Sequence, residues 1–160
     1  MSMSDLYQTS ADLKATTQDL ARVERPSAAL TLTRSATLAI TTAGTTITWQ
    51  VETRNQGFNW SGADVTIPTN GYYLINLQYT ASVLTTATAV LRVNSVNVAF
   101  FADSSINSTL HGFTVMRYFS TGDSVELRVV PSANSTIQVN AENATSESPI
   151  LNIVQLTGAI

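Results

Sequence analysis

The chain has 160 residues, a formal net charge of −3, no cysteine and a single histidine. Charged residues make up only 12%, about half the roughly 25% of an average globular chain, and the surplus lies in Thr, Ser, Asn, Val and Ala. These figures exclude nucleic-acid binding by clustered Lys and Arg, since Lys14 is the only lysine, and exclude thiolate chemistry and disulfides. No apolar run approaches the ~18 residues of a membrane span.

Segment 1–26 differs in pattern from the rest of the chain. From residue 5 to 25 it reads DLYQTSA, DLKATTQ, DLARVER, so an Asp-Leu pair recurs every seven residues. On a helix, Leu6, Leu13 and Leu20 share one stripe as a positions, with Thr9, Thr16 and Val23 at d, a β-branched seam that leans toward trimers. Three heptads with Thr in the seam are marginal in isolation. Two forms stay open: a short coiled coil, or an arm lying along a surface that anchors the domain to a partner. Pro26 ends the segment in either form. Its first residues lack the basic-then-apolar order of a signal peptide, so the expectation is a chain made in a cytoplasm.

From residue 27 to 160 the pattern is all-β. Runs rich in Thr, Val, Ile and Tyr, separated by Gly, Asn, Ser and Asp, predict strands at 30–34, 45–53, 64–68, 71–83, 87–93, 96–102, 110–119, 124–130, 136–140 and 149–157. Ten short strands at this spacing predict a β-sandwich or barrel. Alternation is cleanest over 71–83. Tyr73, Ile75, Leu77, Tyr79, Ala81 and Val83 form a core face, while Tyr72 and Leu74 open an outward face that turns polar at Asn76. An apolar end on an outward face suits a subunit contact. The run 110–119 has large apolar groups on both faces. His111, Phe113 and Phe119 share one, and Met116 and Tyr118 the other, which predicts burial on both sides by the core and by a neighbouring chain or loop.

Four stretches together resemble the jelly roll of the complement globular head and the tumour necrosis factor superfamily. They are ADVTIPTNGYYLINLQYTAS at 63–82, AVLRVNSVNV at 89–98 with a turn at Asn94-Ser95, STGDSVELRV at 120–129, and LNIVQLTG at 151–158. The resemblance implies a jelly-roll β-sandwich of about ten strands that trimerises around a three-fold axis. It adds Tyr72, Leu74, His111, Phe113 and Phe119 as candidate interface residues. There is no collagen-like Gly-x-y stalk, and the Thr/Ser/Asn-rich filling is unlike secreted animal members. These departures point to the phage relatives, in which such domains serve as capsid decoration proteins and fibre heads. The partners implied are copies of the chain itself and the major capsid protein.

Catalytic signals are sparse. With His111 the only histidine, a His-rich metal site is excluded, and no nucleophile elbow, His-Glu-x-x-His pair or phosphate loop occurs. A triad through His111 and Asp123 has no supporting motif. No loop has the dense acidic spacing of a calcium site, so no enzyme activity and no cofactor are expected. Trp49 and Trp60 flank a Gly-containing loop. They fit core or interface packing, and alternatively a carbohydrate platform on a receptor-binding knob.

Overall fold

The computed structural model describes residues 28–82, 86–103, 110–139 and 149–156; segment 1–26, with Leu6, Leu13 and Leu20, and Val83 lie outside the described residues. Thirteen strands and no helix occur among the described residues. They are β1 (Ala29–Thr33), β2 (Leu38–Ile40), β3 (Thr45–Thr46), β4 (Val51–Gln56), β5 (Asn59–Ser61), β6 (Asp64–Thr66), β7 (Gly71–Ala81), β8 (Ala87–Val93), β9 (Val96–Asp103), β10 (Leu110–Phe119), β11 (Ser124–Pro131), β12 (Ser135–Gln138) and β13 (Ile150–Gln155).

Two antiparallel sheets form a sandwich. The front sheet runs β2-β12-β7-β13-β1-β4, with β10 on the other flank of β7; the back sheet runs β5-β6-β11-β8-β9, with β3 also on β11. Along one edge of β7, residues 73–78 pair with β13 and residues 80–81 with β12, while β10 pairs with the opposite edge over its whole length. The first and last strands, β1 and β13, are neighbours, so chain-distant segments are joined as in a jelly roll.

The core lies between the sheets. Leu30, Leu32, Tyr73, Ile75, Leu77, Tyr79, Leu151 and Ile153 meet Ala89, Leu91, Val125, Leu127 and Val129. The predicted inward set on β7 is buried at each described position, because consecutive side chains on a strand point to opposite faces. Tyr73 stands edge-on between Phe58 and Phe119, at 6.0 Å from each ring. Its hydroxyl donates to the Thr69 carbonyl at 2.8 Å, so a fully buried phenol keeps a partner. Arg34 is likewise buried at the end of β1. Its guanidinium donates to the carbonyls of Ala36 and Thr48 and to the Thr48 hydroxyl, while burial lowers its pKa by desolvating the charge.

Three local expectations change. The run 45–53 is not one strand: Ile47 N–H donates to Leu127 of the back sheet and Gln50 N–H to Thr33 of the front sheet, so the chain crosses between layers there. Two three-residue strands, β2 and β5, have no sequence signal of their own; β5 exists because the Gly62-Ala63 turn folds it onto β6. In contrast, Gly122-Asp123 is a turn as expected. Gly122 has φ +87°, and the Asp123 carboxylate accepts the Ser120 N–H at 2.8 Å. Asn94-Ser95 also turns as expected, joining β8 to β9 with φ +50° and +66°.

Two successive left-handed residues suit a tight hairpin, but Ser95 has a β-carbon that this conformation disfavours. Ser95→Gly should therefore raise stability by about 0.5–1 kcal/mol after the larger chain entropy of glycine is set against the relieved strain. A thermal melt checks this, and a lower midpoint contradicts it.

Candidate interaction surface

The outward face of the front sheet is divided in two. In its middle, Thr31 donates to the Asn152 side-chain oxygen at 2.9 Å and the Asn76 amide donates to Thr114 at 2.8 Å, a polar band across four strands. Toward the start of β7 the face becomes apolar. Tyr72 pairs with Tyr118, and Leu74 pairs with Met116 on one side and Val154 on the other. Leu156 is tied in by its N–H, which donates to the Tyr72 carbonyl at 2.9 Å.

These six side chains form one patch. Within it Met116 is 61% exposed, Tyr118 51%, Tyr72 48% and Leu156 44%. Tyr72 and Tyr118 already meet edge to face at 5.4 Å, so the patch is organised within the single chain. Scattered exposed apolar residues need no explanation, whereas a contiguous apolar group rimmed by polar residues marks a contact surface. Phe100 and Val96 are also exposed, but they lie on β9 of the back sheet.

β10 fits tightly against β7. A β-carbon added at Gly112 would lie 2.5 Å from the Leu77 carbonyl oxygen, so glycine permits this close approach.

The five candidate interface residues do not share a surface. Residues directly opposite in an antiparallel pair project to the same side, so Tyr118 joins Tyr72 outside and the alternate residues of β10 turn inward. His111 is buried and stacked on Tyr79, with ring centroids 5.1 Å apart. Phe113 stacks on Phe101 at 4.0 Å, bridging the two sheets along the side where β9 and β10 lie. Phe119 is packed on Tyr73. Tyr72 and Leu74 belong to the outer patch; His111, Phe113 and Phe119 have little surface left for another chain. Met116, Tyr118, Val154 and Leu156, which were not among the five candidates, complete the patch. Of the two covers expected for the outer face of β10, a loop of the same chain is not found among the described residues, which leave Met116 and Tyr118 exposed.

The tryptophans are separated too. Trp49 lies at the crossover between sheets and is 3% exposed, within the core. Trp60 is half-buried, and its indole N–H donates to the Glu52 carboxylate at 2.6 Å. Asn55 holds the same loop through Glu52 and both polar groups of the Phe58 backbone. The pair therefore forms no exposed platform. His111 and Asp123 are not brought together either: His111 is near the start of β10, Asp123 lies in the turn beyond its far end, and the strand from His111 to Phe119 alone spans roughly 27 Å. Both Asp123 carboxylate oxygens are engaged, by Asn94 and by the Ser120 N–H.

The fold can be placed among solved structures. The chain resembles murine APRIL, with 17% identity and a TM-score of 0.59 over 81% of this chain and 98% of that one. It also resembles Eiger TNF from S. frugiperda, with 14% identity and a TM-score of 0.60 over 85% and 96%. Both are jelly-roll proteins of the tumour necrosis factor superfamily, and at this identity the likeness establishes a shared sandwich fold. No protein-family model and no curated protein sequence matches the chain.

Core placement of Trp49 is checked by stability. Trp49→Ala should cost about 3–5 kcal/mol, and Trp60→Ala clearly less, in urea unfolding. The reverse order would contradict the assignment.

Proposed function

We propose that this chain is a non-catalytic assembly protein that works as a homotrimer on the outside of a virus particle, decorating or cementing its capsid. The observation that carries the trimer is the patch of Tyr72, Leu74, Met116, Tyr118, Val154 and Leu156 on an otherwise polar sheet face. Copies of the chain are its natural cover. A three-fold arrangement presents the same patch three times around one axis, so a single surface suffices for a closed assembly.

The virion setting is supported by composition and by the departures from the secreted animal members of the family that the motifs resemble, namely the missing Gly-x-y stalk and the Thr/Ser/Asn-rich filling. A surface of Ser, Thr and Asn with few charges suits a protein largely covered by copies of itself and by a lattice. In this reading the work is mechanical. Each trimer contacts several subunits of the major capsid protein, and multivalency turns modest patch affinities into firm attachment. Binding only the assembled lattice stabilises it by linkage.

Two measurements test this. Met116→Asp combined with Tyr118→Asp should leave the β-type circular dichroism intact and reduce the particle to a single chain, since charge is not tolerated in a closed apolar contact. An unchanged assembly would remove the patch from the interface. Quantitative mass spectrometry of purified particles from the source should give a copy number comparable with the capsid protein's. A few copies would move the chain to a fibre or tail, and none would end the virion reading.

A further inference from the structure

The sequence contains one Asn-Gly step, Asn70-Gly71, and it stands at the entry to β7. In such a step the asparagine carboxamide is open to attack by the next backbone nitrogen, because glycine sets no β-carbon beside it. The Gly71 nitrogen, its proton taken by hydroxide, bonds to Cγ of Asn70. The Cγ–Nδ2 bond breaks, and ammonia leaves with a proton drawn from water. Water then opens the cyclic imide at either carbonyl, leaving aspartate or isoaspartate. The net change is hydrolysis of one side-chain amide, with no oxidant or reductant.

Asn70 is exposed, and its amide nitrogen, the leaving group, has no hydrogen-bond partner among the described residues. Its oxygens are held. Oδ1 accepts the Thr121 N–H at 2.8 Å and the Thr121 hydroxyl at 3.1 Å, and the Asn70 carbonyl accepts the Gln155 side-chain amide at 3.3 Å. Gly71 is buried. Because the Tyr72 carbonyl accepts from Leu156 on the β13 side, the Gly71 N–H one residue earlier is turned the other way, toward Phe119 of β10. The nucleophile is therefore shielded from hydroxide, and the carboxamide is clamped to the turn after β10. Attack needs both to be released, and both belong to the corner where β7 begins and β10 ends.

We propose that Asn70 is a deamidation site gated by this corner. It is shut while the start of β7 is paired with the end of β10, and it reacts when that corner opens. Conversion bears on the patch. Aspartate keeps the acceptor for Thr121, whereas isoaspartate adds a methylene to the main chain directly ahead of Gly71, two residues before Tyr72. The site does not depend on the trimer reading.

The test follows amide-to-acid conversion by peptide mass spectrometry in the full-length protein, held in alkaline buffer, folded and in guanidinium chloride. In denaturant Asn70 should convert faster than any other asparagine, and folding should slow it roughly tenfold or more. In the folded protein Thr121→Ala, which removes one of the two hydrogen bonds to Oδ1, should speed conversion at Asn70 by roughly threefold or more and leave the other asparagines unchanged. Conversion at Asn70 no faster than at other asparagines in denaturant removes the site. Equal rates with and without denaturant, or a Thr121→Ala rate that matches the wild type, overturn the gate. A rise shared by all asparagines in Thr121→Ala traces to loosening of the whole fold and overturns a local gate as well.

Discussion

The pleat of β7 is the constraint on which the rest of the structure depends. Its eleven residues run through the middle of the front sheet, paired on one edge with β10 and on the other with β13 and then β12. A period of two sends Tyr73, Ile75, Leu77, Tyr79 and Ala81 inward and leaves Tyr72, Leu74, Asn76, Gln78 and Thr80 outside. Slipping by one residue would bury Asn76 and Gln78 and expose the tyrosines of the core, so the register is strongly fixed. Fixing β7 also fixes the faces of its neighbours, because directly opposite residues share a side.

The division of labour among the aromatics is a consequence of that register. Inward rings tie the layers together: Phe58, Tyr73 and Phe119 form an edge-on series, His111 stacks on Tyr79, and Phe101 stacks on Phe113 between the two sheets. Outward rings have no such task within one chain. Among the described residues, Tyr72 and Tyr118 pack on each other beside the adjacent apolar groups, and about half of each remains open. The polar band of Thr31, Asn152, Asn76 and Thr114 bounds the patch and satisfies its own groups through side-chain hydrogen bonds.

Much of this was legible in the sequence. The alternation at 71–81, the turns at Asn94-Ser95 and Gly122-Asp123, and the extent of β8, β9, β10 and β11 arise from period-two patterning and turn chemistry acting locally. What was not legible is what depends on pairing between distant segments. Which face of β10 looks inward cannot be decided where both faces are apolar; only its register against β7 assigns Phe119 to the core and Tyr118 to the surface. Trp49 was ambiguous for a related reason. An apparent strand at 45–53 hides a crossover between sheets, and the tryptophan fills space that exists only once both layers are in place. β2 and β5 are recruited by partners and have too few residues to announce themselves.

The central claim is that the outward patch is closed by two further copies of the same chain. Light scattering of the full-length protein at micromolar concentration tests it most directly. A mass about three times the 17.1 kDa of one chain is the predicted result, and a mass of 17.1 kDa, with Tyr72, Met116 and Tyr118 left open to solvent, would contradict it.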